Sequence, residues 1–218
     1  IHLDPGRETE HLFQLNQAAK VSILKRATAE KTAPGAMAIS TSARKNAASK
    51  PAALLEDWWL IRDPEGHVGW VLSRMVDLDV PMEIAQYAEG QRTVAFFVLN
   101  QVTDEDKKVP QYLMLMSEPK DGLPYDYDQV RVFTWNVKRH RYETAYRERN
   151  LNGILPVRVS QENFGKEGTL PVFVLQVKND DGNLSQRKYK MNTPIVRRVL
   201  APGEEKETSV PRKRTRHH

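Results

Sequence analysis

Along most of the chain, apolar and polar positions alternate in short blocks, separated by polar stretches that hold glycine or proline. From Gln91 onward this pattern predicts eight strands: Arg92 to Val102, Val109 to Met116, Gln129 to Val137, Arg141 to Arg149, Gly153 to Ser160, Thr169 to Lys178, Leu184 to Met191 and Ile195 to Leu200. The breaks DEDKK, KDGLPYDYD, VKRHR, NLNG, FGKEG and KNDDGN are turn or loop chemistry. Short strands joined mainly by short turns predict an antiparallel β-sandwich or barrel over residues 91–200.

Upstream, the apolar positions of residues 8–31 are spaced as two short strands around a polar turn near Asn16. Residues 32–53, TAPGAMAISTSARKNAASKPAA, keep no sustained period and read as a loop of unusual length. The clearest local signal is EDWWLIRDPEGHVGWVL. Apolar residues flank Asp63-Pro64-Glu65-Gly66, where proline presets a turn and glycine tolerates a positive φ, so the stretch predicts a β-hairpin. A short linking helix follows over 81–89. Asp79 is placed to cap it, Pro81 suits its first turn, and Val80, Ile84, Tyr87 and Ala88 recur at helical spacing before Gly90. The expected organisation is a small barrel over 1–77, a linker over 78–90, a larger β domain over 91–200 and a basic tail over 201–218.

Trp58 and Trp59 pose a problem for that hairpin. Neighbouring side chains on a strand point to opposite faces, so the two indoles cannot enter one core. One parity holds Trp58, Leu60 and Arg62, the other Trp59, Ile61 and Asp63. Both can pack, one on each side of a two-layer fold, or one can serve as a contact surface.

EDWWLI, a turn containing Gly66, then Gly69-Trp70-Val71 and Leu72-Ser73-Arg74-Met75-Val76, resembles the distal hairpin of SH3-like domains of the bacterial type. LDPGRETEHLFQLNQAAKVSILKRA resembles that family's opening pair of strands, and together the likeness covers residues 1–77. The resemblance implies a small β-barrel in which Trp58 borders a shallow ligand groove while Trp59 and Ile61 face the core. The residues expected at the ligand surface are Trp58, Trp70, Met75 and Asp57. Met75 stands where eukaryotic members carry a groove tyrosine, so recognition of proline-rich peptides is not implied. The bacterial analogy implies a binding or scaffolding module in the periplasm or cell envelope, with a protein, peptide or cell-wall component as partner.

Charge changes this picture little. The net charge is +5, but residues 197–218 alone carry seven Lys or Arg against three Glu, so four of the five excess charges sit at the tail. Nucleic acid is therefore disfavoured as a partner of the folded part. YDYDQVRVFTWNVKRHRYETAYRER interleaves aromatics with arginines as base-stacking surfaces do. Period two explains it more simply: Phe133 and Trp135 share one face, Tyr142, Thr144 and Tyr146 share a face of the partner strand, and the arginines lie in solvent. Binding of nucleic acid through the tail and this hairpin is one rival reading.

Catalytic chemistry finds no candidate. The chain lacks cysteine and has neither a Gly-x-Ser-x-Gly turn nor a glycine-rich phosphate loop. His2, His11, His67 and His140 match no metal-motif spacing. Asp104, Glu105, Asp106, Asp126 and Asp128 lack the ligand spacing of a calcium loop. No cofactor is expected. The other rival, an accessory or degenerate envelope hydrolase, would be favoured if Asp126, Asp128 and His140 converged. The longest apolar runs, such as Thr93 to Leu99, are too short to span a bilayer.

Overall fold

A computed structural model of the chain describes residues 1–31 and 54–200. The loop expected at 32–53 and the tail expected at 201–218 lie outside the described residues. The fold is mainly β, with three antiparallel sheets and, among the described residues, a single short α-helix. The chain divides into two compact units. The first takes in Ile1–Ala95 and Met116–Asp126, the second Phe96–Leu115 and the chain from Tyr127 onward.

In the first unit, β1 (Ser22–Glu30), β2 (Leu55–Arg62) and β3 (Val68–Leu72) form a sheet in the order β1-β2-β3. The hairpin between β2 and β3 is closed by the Asp63 N–H donating to the His67 carbonyl, and Gly66 takes φ +95° in the turn. A 3-10 turn, Ser73–Met75, follows β3 at once. α1 (Met82–Ala85) then runs into a second 3-10 turn, Gln86–Ala88. Asp79 does not cap α1: Pro81 occupies the cap position without a side-chain bond, and Asp79 pairs with Lys20 instead.

The first of the two strands expected in residues 8–31 is absent. The chain turns back just before it, with the Thr9 hydroxyl 2.8 Å from the carbonyls of both Asp4 and Gly6. Only single β-bridges remain, His2 to His11 and His2 to Trp70.

β2 is the central strand, and this decides the fate of the paired tryptophans. Trp58 is 1% exposed and Trp59 5% exposed. The expected rim position of Trp58 is thus corrected: it is buried, with the His2 ring edge-on at 5.2 Å. The sequence pattern of β2 could not reveal this, since the cover over Trp58 comes from residues more than fifty positions upstream.

In the second unit, the eight strands expected after Gln91 appear as β4 (Arg92–Asp104), β5 (Lys107–Ser117), β6 (Gln129–Asn136), β7 (Arg141–Glu148), β8 (Gly153–Asn163), β9 (Thr169–Lys178), β10 (Leu184–Asn192) and β11 (Ile195–Val199). The first residues of β4 and the last of β5 belong to the first unit. One sheet has the order β4-β5-β6-β7 and the other β11-β10-β9-β8. Phe173 and Tyr189 stack at 4.9 Å, and the Tyr189 hydroxyl donates to Glu148 of β7, tying the two sheets together.

A register shift between Val132 and Phe133 sets Phe133 opposite Thr144 and Trp135 opposite Tyr142, but Val132 opposite Tyr146. Tyr146 therefore leaves the face shared by Tyr142 and Thr144, against expectation, because the extra residue of a bulge reverses the alternation.

If β2 is covered on both faces, Trp58→Ala and Trp59→Ala should each destabilise the first unit by about 3–5 kcal/mol. Urea unfolding followed by near-UV circular dichroism measures this. A Trp58→Ala variant with an unchanged midpoint would contradict the burial of Trp58.

Candidate ligand cleft

The polar residues of β2 organise the first unit. Asp57 is 1% exposed, yet its carboxylate accepts four hydrogen bonds. Arg26 Nη2 donates at 2.8 Å, the Thr28 hydroxyl at 3.1 Å, the Gly122 N–H at 3.1 Å and Arg92 Nη2 at 3.1 Å. A buried carboxylate survives without water only when cations and donors replace its hydration, and here all four come from other elements. Gly122 is required at its position: it takes φ +77°, and a Cβ there would fall 2.6 Å from Leu55.

The two arginines then extend the network. Arg26 Nη1 reaches the Tyr125 carbonyl at 2.8 Å and Asp126 at 3.1 Å. Arg92 donates to Asp121 at 3.1 Å and to the Lys120 carbonyl at 2.9 Å. One carboxylate so fastens β1, β2, the start of β4 and the segment 116–126.

Glu56 plays the matching part on the other face of β2. Arg7 grips it in bidentate fashion, at 2.7 and 2.6 Å, and Arg74 adds a third contact at 3.2 Å. The Arg7 hydrogen bond holds the Glu56 carboxyl below its ordinary value, against the opposing push of burial.

Beside this network opens a cleft of about 610 Å³. Trp59 lines it together with Arg74 and Arg92. Val76, Leu78 and Val80 contribute half-buried apolar surface from the extended stretch after the 3-10 turn, and they alternate with exposed Asp77 and Asp79. Pro119 and Asp121 also line it. The cleft is amphipathic: an aromatic and aliphatic lining, two guanidinium groups already fixed by carboxylates, and the exposed Asp77 carboxylate.

The four residues expected at the ligand surface fall in different places. Met75 is 72% exposed on the 3-10 turn. Trp70 is half-buried, and its backbone pairs with His2 on one side and Leu60 on the other. Asp57 and Trp58 are buried. Trp59, expected only in the core, is the indole that lines the cleft. Arg92 and Asp121 were not legible as site residues, because no local spacing links them to β2. The Asp-Trp-Trp triplet is their one sequence clue, since an acid on a central strand demands a distant cation.

The groups named by the rival readings have other partners. Asp126 is bonded by Arg26, and His140 by Asp104, whose carboxylate also accepts from the Trp135 indole at 2.7 Å. Arg139 and Arg141 both bond Glu143, and Arg149 bonds Gln129. No protein family, curated protein or solved structure matches the chain.

Asp57→Ala should cost on the order of 3 kcal/mol, because it strands the buried Arg26 and frees Arg92. Asp57→Asn, which keeps an acceptor, should cost less; equal stability of the alanine variant and the parent in chemical denaturation would refute the network's role. For Glu56 the sign follows from its depressed titration. Its contribution is complete above the ordinary carboxylate value of 4.5 and is lost as pH falls below it. The stability difference between the parent and Glu56→Gln should therefore be constant near neutrality and shrink on acidification below about pH 4.5. Denaturant titrations across that range read it out.

Proposed function

We propose that the first unit is an SH3-like, non-enzymatic binding module that receives an extended peptide or peptide-like ligand in the cleft beside Trp59. The observation that carries this reading is the cleft itself: a buried indole and three alternating aliphatic residues lie within reach of Arg74, Arg92 and Asp77. An extended ligand presents side chains at period two, which suits a lining whose apolar residues also recur at period two. Its backbone carbonyls or carboxylates suit the arginines, and an amine suits Asp77.

Support for the SH3-like assignment comes from the order β1-β2-β3 and from the 3-10 turn directly after β3. It also comes from the position of the cleft at that turn. The resemblance of the hairpin to bacterial members points to the cell envelope and to wall-derived peptides. The second unit, an antiparallel β domain read as a sandwich, then serves as a scaffold or partner surface.

A stem peptide from bacterial cell wall, carrying a free amine, is the probe. Added to isotope-labelled protein, it should shift the Trp59 indole and the amides of Val76, Leu78 and Arg92 in two-dimensional NMR spectra. Asp77→Lys should weaken binding about tenfold or more, as expected when like charges replace an ion pair at a partly desolvated site. Its melting temperature should stay unchanged, because Asp77 is exposed. Shifts confined to the second unit, or none at all, would overturn the cleft as the binding site.

A further inference from the structure

The hairpin tip between β2 and β3 gathers three donors that neither the cleft nor the fold's hydrogen bonding fully uses. The Asp63 side chain is 4% exposed, and its Oδ2 lies 2.9 Å from His67 Nδ1. Glu65 Oε2 approaches the same nitrogen at 3.6 Å. Donor atoms of all three residues fall within 4.8 Å of one another.

We propose that Asp63, Glu65 and His67 form a three-ligand site for a divalent transition metal of the zinc type, with the remaining coordination positions open to water.

Distances support the site. Ligands about 2.1 Å from a tetrahedral ion stand about 3.4 Å apart, and the observed 2.9 and 3.6 Å bracket that separation. One imidazole nitrogen and two carboxylate oxygens suit zinc, nickel or copper better than calcium, which wants six or more oxygens. The backbone holds the donors in place before any metal arrives. The Asp63 N–H donates to the His67 carbonyl at 3.0 Å, the Gly66 N–H to the Asp63 carbonyl at 3.2 Å, and the His67 N–H to Asp63 Oδ1 at 2.9 Å. The His67 N–H reaches Asp63 through Oδ1, which leaves Oδ2 and the Glu65 carboxylate facing the His67 ring. The Phe13 ring, 5.6 Å from the imidazole and tilted by 53°, limits its rotation.

Without metal, the hydrogen bond that His67 donates to the Asp63 carboxylate raises the titration of His67 above its ordinary value, and Glu65 adds to it. A metal on Nδ1 takes the place of the proton between His67 and Asp63, so affinity should fall as pH drops through the His67 titration. His67 is 62% exposed in its side chain, so the position is open to exchange with solvent.

The test uses the full chain with His217→Ala and His218→Ala, which removes the adjacent tail histidines as competitors. Zinc chloride is titrated calorimetrically near pH 7.5, with histidine ring nitrogens followed by NMR. Binding of one zinc with a shift of the His67 nitrogens is expected. Glu65→Gln should weaken it about tenfold and His67→Ala about a hundredfold or more. The Glu65 side chain is 79% exposed, so Glu65→Gln should melt with the parent, whereas His67→Ala also gives up the contact with the buried Asp63 carboxylate and is compared once near-UV circular dichroism shows it folded. Asp63 is left intact because it also closes the turn. Zinc bound with His67 unmoved, as at the neighbouring His2 and His11, would overturn the proposal; so would undiminished affinity in His67→Ala, or no binding.

Discussion

A buried carboxylate on the middle strand of a three-stranded sheet is the constraint from which the first unit follows. The Asp57 carboxylate gives up its hydration in the interior and replaces it with two guanidinium groups, a hydroxyl and a backbone N–H. The donors come from three stretches of chain: Arg26 and Thr28 on β1, Arg92 at the start of β4, and Gly122. The requirement therefore acts as a clamp: β1 must bring Arg26 opposite Trp59, β4 must begin with Arg92, and the chain at Gly122 must come close enough to present its N–H. Hydrophobic burial alone would permit several placements of these segments, whereas directional hydrogen bonds to one carboxylate select among them.

The cleft is a by-product of the same clamp. Arg92 is held by Asp57, Asp121 and the Lys120 carbonyl, so one wall is fixed before any ligand arrives. Arg74 is similarly held by Glu56 on the opposite face of β2. Preorganised guanidinium groups lose little rotamer freedom on binding, which favours modest but selective affinity. Exposed Met75 and Met82 lie on the chain just before and just after the extended stretch of the cleft, and methionine adapts to irregular ligand surfaces at low cost.

Legibility in the sequence tracked the range of the interactions involved. The β2–β3 hairpin and the strands from β4 onward rest on alternation and turn residues, which are local, and β9 falls at Thr169–Lys178 as its pattern requires. The failures lie where distant or non-periodic partners decide. Trp58 is buried by the segment around His2, far upstream. The stretch after Thr9 pairs only through an isolated bridge from His11 to the distant His2. Tyr146 changes face through one bulge. Met75 is exposed but does not line the cleft. Trp59 was assigned to the core alone, and Arg92 and Asp121 could not be read, because the ion pairs that place them span about thirty residues or more.

The two units use polar groups differently, and that contrast bears on where function resides. In the second unit, the polar cluster around Glu148 closes on itself. Tyr146 and Tyr189 both donate to Glu148, with Arg187 on its other oxygen, and burial with that carboxylate pushes the Tyr146 hydroxyl up to about 12. Such a closed network stabilises a particular packing and offers little to a ligand. In the first unit, the network around Asp57 runs instead to a surface, where Arg92 and Asp121 meet the cleft. Rigid support beneath an accessible polar edge is what a recognition surface requires, since groups fixed from below need not be ordered by the ligand. The proposed binding role of the first unit thus depends on how its buried charges terminate, and not on the number of its aromatic residues.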